Sequence, residues 1–196
     1  MVRLTKFTEE MFLDAAIELA AQCGGSAVSI AAIARKTGAP VGSLYHRFAS
    51  REELLAHAWL KVRSQYRQQI ADLWGERDTW LAVAAFLQWC RSAPLQARFL
   101  LQCRECPALQ ENLSAELRLR LEAEQDDLDG CFDRCLQRLG TCLPGENLDS
   151  RLRFTLIDAP FAMVQPFLLQ DQPIPASIDV MLRASHRALC PGSSLQ

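Results

Sequence analysis

The segment Gly42-Ser43-Leu44-Tyr45-His46-Arg47-Phe48 places a hydroxyl, a phenol, an imidazole and a guanidinium within two turns of chain. On a helical wheel Val41, Leu44 and Phe48 fall at i, i+3 and i+7 and are expected to face inward. Ser43, His46 and Arg47 then fall on the other side with Gly42, and Tyr45 sits at the edge. A guanidinium can pair with guanine O6 and N7, and hydroxyls and imidazole can reach base edges or phosphates. Gly42 would let the helix backbone approach a duplex closely. A polar surface helix in a protein-binding or small-molecule-binding domain has the same pattern, so both readings stay open at this point.

A second chemical grouping is the cysteines. Cys103 and Cys106 form a CxxC, and Cys131 and Cys135 stand one helical turn apart. Together they could hold zinc or form a redox switch. Spacing of four is also ordinary helix-face spacing, and the CxxC lies at a predicted helix end, without a glycine knuckle or a preceding strand. No metal and no cofactor are therefore expected. The histidines are His46, His57 and His186, and no nucleophile elbow, phosphate loop or HExxH occurs. The chain reads as a non-enzyme, with a CxxC thiol oxidoreductase as the alternative of another class.

The elements that must carry these groups are helical. Ala, Leu, Arg, Glu and Gln dominate, and period-2 alternation is missing. Of the 196 residues 49% are hydrophobic, enough for a substantial core. Residues 1–67 carry a net charge of +3 and the remainder −5, against −2 overall, a basic head on an acidic body. The opening residues have no apolar signal-like run. The stretch 154–169 carries Asp158, Gln165 and two prolines, which argues against a membrane span. A cytoplasmic protein with reduced thiols is the expectation.

A first helix is predicted from Thr8 to the Gly24-Gly25 pair, with Met11 or Phe12, Ala15, Ala16 and Leu19 as its apolar stripe. Ser29 caps a short second helix that Gly38 stops, with Ile30, Ile33 and Ala34 on one face. Pro40 suits the first position of a third helix running to about Phe48. Two short helices joined by a tight glycine turn make a helix-turn-helix. Ser50 and Glu53 form a capping box that opens a helix extending to about Trp74, roughly 36 Å at 1.5 Å per residue.

The run SIAAIARKTGAPVGSLYHRFASREELLAHAW resembles the DNA-binding signature of the TetR family of bacterial transcriptional regulators. The step from Ala34 to Gly38, the core Gly42 to Phe48 and the basic opener Arg51 match the pattern over about residues 8–60. Ala39-Pro40 stands where the family often has a Ser or Thr cap, so a side-chain cap is missing there. The resemblance implies that Ser29, Gly42, Ser43, Tyr45, His46, Arg47, Arg51 and Lys6 meet DNA, Tyr45 through its hydroxyl and Arg51 at a helix N-terminus. It also implies an all-α fold with three parts. These are a three-helix head at 1–50, a long connecting helix at 51–74 and a ligand-binding and dimerisation body at 75–196.

For the body, Leu113, Leu117, Leu121, Leu128, Phe132, Leu136 and Leu139 trace a long stripe, and helices are expected at 78–91, from Pro94, at 149–169 and at 175–189. Kinks are expected at Pro160 and Pro166. The resemblance pairs the last two helices with their copies in a homodimer, and Phe161, Val164, Phe167, Leu168, Ile178, Leu182 and Leu189 are the interface candidates. Trp74, Trp80, Phe86, Trp89 and Phe99 are candidates for an apolar pocket taking an unknown small-molecule inducer. The implied activity is repression from a near-palindromic operator in double-stranded DNA. A metal- or redox-sensing regulator using Cys103, Cys106, Cys131 and Cys135 is the alternative.

Overall fold

The structure, a computed structural model, describes residues 7–103, 112–141 and 147–190. Ten α-helices and no strand occur among them. Lys6 and Cys106, both named above, lie outside the described residues. The chain divides into two compact units, Met1–Arg63 with Arg98–Glu122, and Ser64–Ala97 with Ala123–Gln196.

In the first unit α1 (Glu9–Cys23) begins as the sequence predicts. Thr8 Oγ1 accepts the Met11 N–H at 3.2 Å, Glu9 and Glu10 occupy the positive end, and Gly24 closes the helix at φ 84°. Ser29 Oγ accepts the Ala32 N–H at 3.1 Å and starts α2 (Ile30–Thr37). Gly38 ends α2 in the left-handed region at φ 69°, where a side chain would be strained. Pro40 starts α3 (Val41–Tyr45), which has no side-chain cap. It is shorter than predicted, with Arg47 and Phe48 closing its last turn through N–H bonds to Leu44 O. Ser50 and Glu53 do form a capping box for α4 (Arg51–Gln69). Ser50 Oγ accepts from Glu53 N at 3.1 Å, while the Glu53 carboxylate accepts from Ala49 N and Ser114 N at 3.2 Å each. Phe12, Ala16, Ile33, Leu44, Phe48 and Leu54 are buried to 1% exposure or less. Leu113 and Leu117 pack with Ala56 and Leu60. That packing draws residues beyond 98 into the unit of the head, where the sequence reading ended the head at residue 50.

In the second unit α4 stops at Gln69, short of Trp74, and a tight turn covers Ala71–Gly75. The turn aims Asp72 at the Cys131 thiol, which donates to Oδ1 at 3.2 Å. It also buries Trp74 edge-on to Phe132, with centroids 6.0 Å apart. The other helices are α5 (Trp80–Ser92), α6 (Pro94–Cys103), α7 (Ala115–Gly140), α8 (Leu148–Arg153), α9 (Ala159–Leu169) and α10 (Ser177–Leu189). α4, α6 and α7 each have residues in both units. Between α8 and α9 a π turn spans Phe154–Asp158, with Ala159 N–H reaching back to Phe154 O. Pro160 lacks an N–H and cannot continue the i to i−4 ladder, and the wide turn lies immediately before it. The helix then runs through Pro166. Leu148–Leu169 is long and apolar enough to cross a membrane by length and composition, but Leu152, Leu156, Val164 and Leu168 are buried within this unit. α9 packs on α5 and α10.

His186 on α10 is buried at 1% exposure, its Nε2 2.9 Å from Thr79 Oγ1. Its ring stands edge-on to Trp80 with centroids 5.8 Å apart, and Nδ1 has no partner among the described residues. Burial lowers its pKa from the ordinary 6.5, opposed by Asp78 and helped by Arg183. Burial likewise lowers that of His57, with Glu9 opposing. Below pH 6.5 the unfolded chain takes up these protons and the folded chain resists them, so stability falls as pH drops from 6.5 through the folded values. Urea midpoints are expected to decline before the carboxylates near 4.5 begin to titrate. In His186→Gln the decline is expected to be shallower, and an unchanged pH profile would remove His186 from this account.

Candidate nucleic-acid interface

The outward surface of α3 consists of Val41, Gly42, Tyr45 and His46, preceded by exposed Pro40. Tyr45 is 59% exposed. Ser43 is half-buried. Val41 is 44% exposed and does not face inward. The reason is that α3 lasts only five residues, so Leu44 and Phe48 are its buried apolar anchors and its first residue stays outside the packed face.

Two cations expected at DNA are turned into the protein. Arg47 donates from Nη1 to Ser43 O at 2.8 Å and from Nη2 to Phe7 O at 2.9 Å, with its guanidinium 5.5 Å from the Phe12 ring centroid. Arg51 donates from Nε to Val28 O at 2.5 Å and from Nη2 to Gly25 O at 2.6 Å, and pairs with Glu52 at 3.2 Å. Arg47 therefore fastens α3 to the start of α1, and Arg51 fastens α4 to the turn after α1. Their expected groove and phosphate contacts would need these bonds to be given up. The wheel could not show this, because three of the four carbonyl acceptors lie 23 to 40 residues away.

Sequence reasoning passed over Arg35 and Lys36, in the last turn of α2 and both exposed. Lys36 meets Glu18 at 2.6 Å, across a surface where such a pair is weak and easily exchanged for phosphate. The signal was available: the two cations follow Ile33-Ala34 on the side away from the buried stripe. Ser29 is committed to capping α2, which leaves its hydroxyl free to accept or donate further.

The body candidates do not form one site. Trp74, Phe86 and Trp89 gather around Tyr66 at centroid distances of 6.0–6.4 Å, and Phe161 joins them 4.6 Å from Phe86. The indole N–H groups of Trp74 and Trp89 are buried without a partner among the described residues. Trp80 instead lies against His186, with Arg183 4.6 Å above its ring. Phe99 belongs to the first unit, beside Trp59.

The interface candidates need a similar correction. Val164, Leu168, Ile178 and Leu182 are buried inside the second unit and cannot face a partner. Phe161, Phe167 and Leu189 are half-buried. The apolar side chains that do face outward on α10 are Val180, Met181, Ala184 and Ala188, at i, i+1, i+4 and i+8, with Val180 70% exposed. Phe154 and Leu169 are exposed along the preceding helix.

Among the described residues no group of three or more potential metal ligands occurs. Burial and the Asp72 carboxylate push the Cys131 thiol up to about 11, and burial pushes Cys135 up to about 11. Such thiols are protonated and slow to oxidise, which weighs against the metal- or redox-sensing alternative at these two positions.

Residues 12–58 match the family model described as bacterial regulatory proteins, tetR family. No curated protein matches the chain. Solved structures of similar fold include the fatty acid degradation regulator FadR from Bacillus halodurans, at 18% identity and TM-score 0.70, with all of both chains covered. FadR from Bacillus subtilis in complex with stearoyl-CoA is similar at 20% identity and TM-score 0.69, covering 94% of this chain and 99% of that one. A TetR family transcription regulator from Marinobacter aquaeolei VT8 matches at 19% identity and TM-score 0.65, covering 92% and 94%.

Proposed function

We infer that this chain, whose residues 12–58 match the tetR family model and whose fold is similar to that of such regulators, is a homodimeric repressor that an unknown small-molecule effector releases from a near-palindromic operator. The observation that carries the DNA half is the outward surface of α3, where an aromatic hydroxyl, an imidazole and a glycine stand clear of the fold behind a capped α2. Arg35 and Lys36 supply the adjacent positive charge. The outward α10 stripe of Val180, Met181, Ala184 and Ala188 supports a two-fold interface, since a contiguous apolar face on a terminal helix is costly to leave in water. Two recognition helices about 34–36 Å apart would then read two half-sites one helical turn apart.

The effector reading rests on the cluster around Tyr66. Two buried indole N–H groups without acceptors are each a cost of about 1–3 kcal/mol that a ligand oxygen would remove. An effector held there would act by differential affinity for the DNA-competent and DNA-incompetent states. The stearoyl-CoA bound by the Bacillus subtilis protein makes long-chain acyl-CoA a first compound to try.

Footprinting on the DNA next to the gene tests the reading. Two protected half-sites separated by one turn, bound by a species of twice the 22.0 kDa chain mass, are expected. Protein that stays monomeric and protects nothing at low salt would overturn it.

A further inference from the structure

The exposed start of α3 has a property that the recognition role alone does not require. Gly42 has an ordinary negative φ, and a Cβ built on it would meet nothing within 4 Å. The fold therefore has no need of glycine there, although glycine inside a helix costs stability relative to alanine. Beside it Val41, 44% exposed, presents apolar side-chain surface to water where a polar residue would fit as well. Pro40 on its other side is also exposed and apolar. Arg47, the one guanidinium on this helix segment, is bonded to Ser43 O and Phe7 O. The end of α3 nearest the glycine turn thus offers apolar surface and bare backbone, while the hydrogen-bonding groups, Tyr45 and His46, lie one turn further on.

In the major groove the apolar feature of a base pair is the C5-methyl group of thymine. We propose that Val41 is a specificity residue that reads a thymine methyl in each half-site, and that Gly42 is where the helix backbone comes closest to the duplex. The proposal rests on the DNA-binding reading above and adds the base it selects. Val41 packs its branched methyls on the thymine methyl, and the missing Cβ at Gly42 lets the helix sit deep enough for that contact. Each methyl-methyl contact buries about one methyl group's worth of apolar surface, so its loss is expected to weaken binding about fourfold per half-site.

The test starts from the intact protein and duplexes selected from a random-sequence pool. Every thymine of the best duplex is replaced in turn by deoxyuridine, which removes the methyl alone, and affinity is read by fluorescence anisotropy at fixed salt. One symmetry-related thymine pair is expected to show the fourfold loss per half-site. With Val41→Ala that same replacement is expected to have no further effect, since the partner methyls are already gone. Gly42→Ala is expected to keep or raise the thermal midpoint and yet weaken DNA binding at least tenfold, a combination that misfolding cannot produce. Deoxyuridine effects that persist in Val41→Ala, or full affinity in Gly42→Ala, would overturn the proposal while leaving DNA binding intact. Failure to select any duplex would instead remove the reading on which it rests, and the proposal with it.

Discussion

Arg51→Ala is expected to abolish operator binding by loosening the head, not by deleting a phosphate contact. The guanidinium bridges Val28 O and Gly25 O, which flank the turn between α1 and α2, and so fixes the angle at which α2 presents α3. Hydrogen bonds from a charged donor contribute about 1.5–3 kcal/mol each when well buried. The Arg51 side chain keeps 29% of its exposure and water can replace part of each bond, so about 2–3 kcal/mol of lost stability is the reasonable figure. For a head of this size that lowers the thermal midpoint by roughly 10 °C or more. Lysine is not expected to rescue, because an ammonium cannot present two donors in the directions of a guanidinium fork. The salt dependence separates the two roles. A cation on phosphate contributes about one unit of slope in log K against log salt, and its loss makes the slope shallower without altering the midpoint. Retained stability with a shallower slope in Arg51→Ala would assign the residue to DNA and remove it from the turn.

How much of this was legible beforehand follows the range of the interactions. Thr8, Ser29, Gly38 and the Ser50–Glu53 box are local devices, each acting within four residues, and the sequence located all of them. The helical class follows from composition, and the long α7 from the stripe of Leu117, Leu121, Leu128, Phe132, Leu136 and Leu139. What failed was long-range or depended on where a helix stops. A helix running to Phe48 would turn Val41 inward, whereas α3 lasts five residues. Arg47 and Arg51 were assigned outward because their carbonyl acceptors, Phe7 O, Gly25 O and Val28 O, leave no trace in side-chain pattern. The body suffered most. A helix apolar on every side cannot announce which side meets its own chain, so Val164 and Leu168 were placed at an interface and Val180 was not.

The second large effect is expected at Glu124, a charged residue that no motif singled out. Its carboxylate, 7% exposed, accepts from Ser64 Oγ at 2.7 Å and from Arg67 Nε and Nη2 at 2.7 and 3.2 Å. This joins the C-terminal half of α4 to the middle of α7 within the second unit. The carboxylate's hydrogen bond raises the pKa of Arg67, burial working against it, and a guanidinium is basic enough on its own to stay charged when that partner is removed. Glu124→Ala would leave that cation with Asp127, 3.5 Å away and largely in solvent, and would strand the Ser64 hydroxyl. Removing one member of a buried pair costs about 3–5 kcal/mol, and the 19% exposure of Arg67 brings the expectation to the lower end of that range. Glu124→Gln keeps shape and one acceptor but not the charge, and should fall between alanine and wild type. The cost belongs mainly to the unpaired cation, so the double change Arg67→Met with Glu124→Leu is expected to recover most of the loss in urea midpoint. A double variant as unstable as Glu124→Ala would show instead that the hydrogen-bond geometry itself, not charge balance, holds α4 against α7.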